Sequence, residues 1–168
     1  EAGLAFAALD GIAFAAGPGS FTGLRIGCGI AQGLAYACEL PLLGIVSLLA
    51  LAEASGHDKV YACLDARMGQ IFCAAYERQP EGWVCRVEPT LCQPQQLPAV
   101  SGDSWAGIGS GFRPYEDILR QQLGDALVNV DANAFPHAAA MARLAAKDFA
   151  AGKAVPPMII GFVQSLLV

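Results

Sequence analysis

The stretch of this chain most suggestive of chemistry is Gly17-Pro18-Gly19-Ser20-Phe21-Thr22-Gly23-Leu24-Arg25-Ile26-Gly27. A glycine-rich loop feeding a helix presents unpaired backbone N–H groups and could cradle a phosphate or another anion. The spacing excludes two familiar forms of that site. No Gly-Lys-Ser/Thr follows, and Gly17, Gly19 and Gly23 place one residue too many before the third glycine of a dinucleotide fingerprint. Ser20 lacks the Gly-x-Ser-x-Gly elbow of a nucleophile, and the two histidines, His57 and His137, sit in no triad context. Its hydroxyl is read as a helix cap. A second cluster, Asp65-Ala66-Arg67-Met68-Gly69, lies between two strand-like runs. Asp65 could orient a metal-bound water and Arg67 could contact an anion. The plainer reading, which is preferred, has Asp65 capping the turn and Arg67 pairing with an acidic neighbour. No His-x-x-x-His and no Cys-x-x-Cys occurs, so no metal site is expected.

The helix that follows the loop supplies a third reading of the junction, and energetics favour it. Gly23, Gly27, Gly29 and Gly33 fall in one helix, at a loss of roughly 1 kcal/mol each relative to alanine. Close approach of a neighbouring backbone would compensate. Gly29, Gly33 and Ala37 form one small-residue stripe at i, i+4 spacing, Gly23, Gly27 and Ala31 form another, and Ile26, Ile30 and Leu34 form an apolar ridge beside them. Arg25 is the only charge between Thr22 and Cys38. Such a helix is expected to be buried on more than one face. One face meets a sheet, and the other meets a second helix of the chain or a partner subunit. The candidate interface residues are therefore Thr22, Gly23, Arg25, Ile26, Gly27, Gly29, Ile30, Gly33, Leu34 and Ala37.

The elements that would position these residues alternate in type. A strand over 10–16 ends at the glycine loop, a helix runs from about Ser20–Thr22 to Cys38, and Pro41 precedes a strand over 42–46. Ser47 opens a helix to about Ala54. That rhythm predicts an α/β fold with crossovers over a largely parallel sheet. Beyond the polar break at 55–58 the style changes. Strands over 60–64 and 71–76 make a hairpin around the Asp65–Gly69 turn, and 83–88 adds a third strand. Loop with a brief helix is expected over 89–104, then a strand at 105–108, a helix over 114–123, a strand at 127–130 and an alanine-rich helix over 136–151. In that third helix Glu116 and Asp117 are read as early acids and Arg120 as a late base. The expected division is 1–55, 56–154 and an apolar tail over 155–168.

Composition narrows the function classes. The 168 residues are 55% hydrophobic and 15% charged, with mean hydropathy +0.45, which excludes a disordered or charge-solvated chain. Ten Lys+Arg against fifteen Asp+Glu give a formal charge of −5, which argues against a free-standing nucleic-acid binder. A subunit borrowing a basic surface from a partner is not excluded. No membrane span and no leader are expected, and the default location is cytoplasmic. The six cysteines are read as small buried hydrophobes.

Gly17–Gly27, followed by Ala31-Gln32-Gly33-Leu34-Ala35 and Leu40-Pro41-Leu42-Leu43-Gly44-Ile45-Val46-Ser47, resembles the TsaB (YeaZ) family of tRNA threonylcarbamoyladenosine biosynthesis. Asp65-Ala66-Arg67-Met68-Gly69-Gln70-Ile71-Phe72 is similar to a second block of that family. The resemblance runs from about Leu4 to Ala154. It implies an actin-like, ribonuclease-H-like fold of two α/β lobes, and a chain that starts within the family's first lobe, which is thus apparently truncated at its N-terminus. It implies a non-catalytic scaffold that supports the TsaD transferase subunit, which modifies the adenosine next to the anticodon, with a TsaE-like ATPase as third partner. The family is also labelled glycoprotease-like or peptidase M22-like, but protease activity is not expected in a chain with two isolated histidines. tRNA would be met only through the complex, and a homodimer through the same helix is a competing pairing. Gly17, Gly19, Ser20, Asp65, Arg67 and Gly69 carry the family motifs and are the candidate anion site. No cofactor is firmly implied; weak ATP or ADP with Mg at a partner interface stays open. A nucleotide-binding hydrolase of the actin-like ATPase type is the alternative.

Overall fold

The computed structural model describes residues 5–157. Packing divides the chain into two compact units, one formed up to Val46 and again from Ala138, the other from Ser47 to His137.

In the first unit, β1 (Ile12–Gly17) and β2 (Leu42–Val46) pair in parallel, joined by α1 (Phe21–Cys38). Phe14 on β1 packs with Cys28, Ala31 and Ala35 of α1, and Ile12 and Ala16 flank it. Alternate β1 residues thus share one face, as strand geometry requires. Helix α4 (Ala138–Ala150) returns to pack on β1 and β2. Beyond it, Val155 exchanges backbone hydrogen bonds with Leu42, Val155 N donating at 2.9 Å and Leu42 N at 2.8 Å.

The second unit is a mixed five-stranded sheet in the order β5-β4-β3-β6-β7. Its strands are β3 (Lys59–Arg67), β4 (Gln70–Gln79), β5 (Gly82–Cys92), β6 (Trp105–Ile108) and β7 (Leu127–Asp131). The first three form an antiparallel meander, while β6 lies parallel to β3 and β7 parallel to β6. Tyr61, Cys63, Ile71, Cys73 and Trp105 build one core face with Phe112, Leu119 and Leu123 of α3 (Phe112–Leu123). Helix α2 (Ser47–Ser55) buries Leu48, Ala50, Leu51 and Ala52 and packs on β3, β4 and β6. Glu53 anchors it: its Oε2 accepts from Arg78 Nη2 at 3.0 Å and Trp83 Nε1 at 2.9 Å. Gly109 closes β6 at φ +113, where a Cβ would collide with the Cys63 carbonyl. Only glycine fits that turn.

Several sequence expectations shift. The lobes read from sequence met at 55/56, whereas packing divides the chain at Val46/Ser47 and returns α4 to the first unit. Of the apolar tail, 158–168 lies outside the described residues. Strand β5 runs to Cys92 rather than ending at Glu88, because Pro89 needs no ladder N–H on an edge strand. Helix α3 starts at Phe112, so Glu116 lies past its first turn and pairs with Arg120 at 2.9 Å instead. Three of the six free cysteines, Cys38, Cys85 and Cys92, are only half-buried.

Candidate partner interface on helix α1

Ser20 begins α1 as its side-chain cap, Oγ accepting from Gly23 N at 3.4 Å. Glu39 ends it in the left-handed conformation at φ 55. Between them one face is buried, on Cys28, Ala31 and Ala35. The expected burial on more than one face is not found within the described residues. The opposite face is open and apolar, with Ile26 58% exposed, Ile30 59% and Tyr36 65%, and Phe21, at the first position of the helix, is 61% exposed. Thr22, Gly23, Arg25, Gly27, Gly29, Gly33 and Ala37 are exposed as well, and Leu34 is half-buried at the margin.

The glycines of this face approach nothing in the described chain. A Cβ added at Gly27, Gly29 or Gly33 would meet no atom within 4 Å. Gly29, Gln32, Gly33 and Tyr36 instead line a shallow depression with Pro157, whose carbonyl accepts from Gln32 Nε2 at 3.3 Å. The only charge on the helix, Arg25, lies over the Phe21 ring at 3.4 Å from its centroid. That stacking shields the guanidinium beside an apolar surface. Phe21 and Tyr36 were not singled out in the sequence. The i, i+4 spacing of Phe21 with Arg25 was the available signal for the first, and the i, i+3 spacing of Gly33 with Tyr36 for the second.

The six candidate anion-site residues divide between the units, with Gly17, Gly19 and Ser20 in the first and Asp65, Arg67 and Gly69 in the second. Gly17 ends β1 at φ +104, and its peptide bond to Pro18 is cis. At the β3–β4 turn, Arg67, Met68 and Gly69 have φ of 66, 51 and 79. Two non-glycine residues are thereby held in a region that side chains disfavour. Asp65 holds the turn, its Oδ1 accepting from Arg67 N at 2.8 Å and its Oδ2 lying 3.5 Å from Arg67 Nη1. Asp65 N in turn donates to Ser110 Oγ at 3.3 Å. The acid that pairs with Arg67 is thus the turn-capping residue itself. Among the described residues, no group of three or more His, Cys, Asp or Glu could hold a metal ion, and no helix is long and apolar enough to cross a membrane.

A meander with two further parallel strands in one unit, and a β–α–β element in the other, place the chain among actin-like, ribonuclease-H-like α/β proteins, and known proteins agree. Residues 1–158 match the family model of TsaD, tRNA N6-adenosine threonylcarbamoyltransferase. The tRNA threonylcarbamoyladenosine biosynthesis protein TsaB of Escherichia coli is 36% identical over 157 residues, 88% of this chain and 66% of that protein. TsaB of Haemophilus influenzae is 31% identical over 162 residues, 89% of this chain and 66% of that protein. A solved structure of YeaZ from Pseudomonas aeruginosa superposes with TM-score 0.82 at 33% identity, covering 92% of this chain and 74% of that one. A second Pseudomonas aeruginosa structure, described as similar to the peptidase YeaZ, gives TM-score 0.84 at 33% identity over 94% of this chain and 74% of that one. The chain belongs to the TsaB (YeaZ) family. It spans about two thirds of the length of these curated relatives, 66% in each case.

Proposed function

We propose that this chain is a non-catalytic scaffold subunit of a threonylcarbamoyladenosine-forming complex in the cytoplasm. It binds and supports a TsaD-like transferase through the open face of α1, and the transferase modifies the adenosine next to the anticodon. A TsaE-like ATPase is the third member, and tRNA is met only through the assembly. A second copy of this chain competes for the same helix. One observation carries the reading: Ile26, Ile30 and Tyr36 stand 58–65% exposed on a helix with a single charge. Exposed apolar patches of this kind mark protein–protein surfaces, and depletion of charge at their centre is the compositional signature of an interface core.

The test is association of the full chain with a TsaD-like subunit by calorimetry, beside an Ile26→Asp/Ile30→Asp variant. Both isoleucines are exposed, so the variant should fold as the parent does and lose binding. A folded variant that binds undiminished places the interface elsewhere. Titration of the isolated chain with Mg-ATP should give no tight site. A sub-micromolar one, lost in Arg67→Ala, would favour the nucleotide-binding hydrolase, for which the 86% exposure of the Arg67 side chain is the supporting observation.

A further inference from the structure

A set of thiols lies well away in sequence from α1, inside the second unit. Cys63 on β3 sits directly across from Cys73 on β4, and both are fully buried. Cys92 ends β5 and is half-buried. The register pairs Ile71 with Cys92 and Cys73 with Thr90, so Cys73 and Cys92 are diagonal neighbours on one face of the sheet. Their sulfurs are 3.7 Å apart. We propose that Cys73 and Cys92 are a thiol modification site, oxidised by peroxide to a reversible disulfide that staples the sheet edge β5 to β4.

The two thiols differ in the way such a pair requires. Burial, and secondly the neighbouring Cys92, push the Cys73 thiol up to about 12, so it is held protonated and shielded. Cys92 is the one open to solvent. Its thiolate attacks a peroxide oxygen; an S–O bond forms, the O–O bond breaks, and the departing hydroxide takes a proton to leave as water. Cys73 then gives up its proton as its sulfur attacks Cys92 Sγ. The S–S bond forms, the S–O bond breaks, and a second water leaves. Two thiols have lost two electrons and two protons, and one peroxide has become two waters. Closing 3.7 Å to the ~2.05 Å of a disulfide needs side-chain rotation and a small backbone adjustment. The ladder beside Cys73 is already irregular, with register shifts between Cys73 and Tyr76, and Cys92 is the terminal residue of its strand.

The native full chain, treated with equimolar hydrogen peroxide, alkylated and digested, should yield a linked Cys73–Cys92 peptide pair lighter by two hydrogens. Dithiothreitol should abolish the link, and amide exchange over β5 should slow while it persists. Cys92→Ser should remove the link, whereas Cys63→Ser and Cys85→Ser should keep it. Mapping of the unsubstituted protein stands whether or not those variants fold. Cys92 oxidised to the sulfinic acid with no link, a Cys63–Cys73 link in equal yield, or a link formed only in urea would each overturn the proposal.

Discussion

Replacing Gly33 with leucine separates the two roles a helical glycine can have. If the glycine served the chain's own core, a leucine would clash on folding. Among the described residues, no neighbour outside the helix's own turn lies within 4 Å of a Cβ at Gly33, nor at Gly29, so the isolated chain should accept the side chain. Leucine is also the better helix former by about 0.8 kcal/mol, and thermal unfolding of Gly33→Leu should occur at or slightly above the parent temperature. At a docked interface the same side chain must fit where a backbone was meant to approach. Overpacking of that kind is destabilising by about 1–3 kcal/mol, a loss of association of roughly tenfold to a hundredfold. Calorimetry with a TsaD-like partner, beside circular dichroism of the variant, reads both numbers. Undiminished binding by a folded Gly33→Leu protein would refute the use of this face, and loss of folding with binding would refute the reading of the glycine as open.

Three further outcomes follow from the second unit. Gly109→Ala forces a side chain into φ +113 against the Cys63 carbonyl and should destabilise by about 2–4 kcal/mol, measured by urea unfolding. Glu53→Ala strips the acceptor from Arg78 and Trp83 and should lower stability by about 1–3 kcal/mol, with a blue-to-red shift of Trp83 emission reporting its release. Alkaline sensitivity should come from the buried thiols. Burial raises Cys63 well above its ordinary value of 9.0, and raises Cys73 to about 12. The folded chain then holds more protons than the unfolded one between those limits. Stability is fully present below about pH 9 and falls as pH rises through the window, by on the order of 1 kcal/mol per unit for each thiol. Urea titrations of the reduced protein at about pH 7 and about pH 10 measure it, and Cys73→Ala should flatten the slope.

Periodicity and local chemistry determined most of the element order of this chain. Ser20 was legible as the α1 cap, Asp65 as the turn cap and Gly124 as the end of α3, because each acts on backbone atoms a few residues away. The small-residue stripe Gly29–Gly33–Ala37 was legible for the same reason: side chains three and four apart on a helix share a face. What required the tertiary structure was everything decided by a neighbour distant in sequence. Pro89 lies within a strand because β5 is an edge, and edge status is a property of the sheet. Helix α2 belongs with β3 rather than β2, and α4 with β1, because packing partners rather than chain order assign a helix. The same holds for the open face of α1. An apolar sequence says that a surface seeks cover, and only the folded chain shows that Cys28, Ala31 and Ala35 find it while, among the described residues, Ile26, Ile30 and Tyr36 do not.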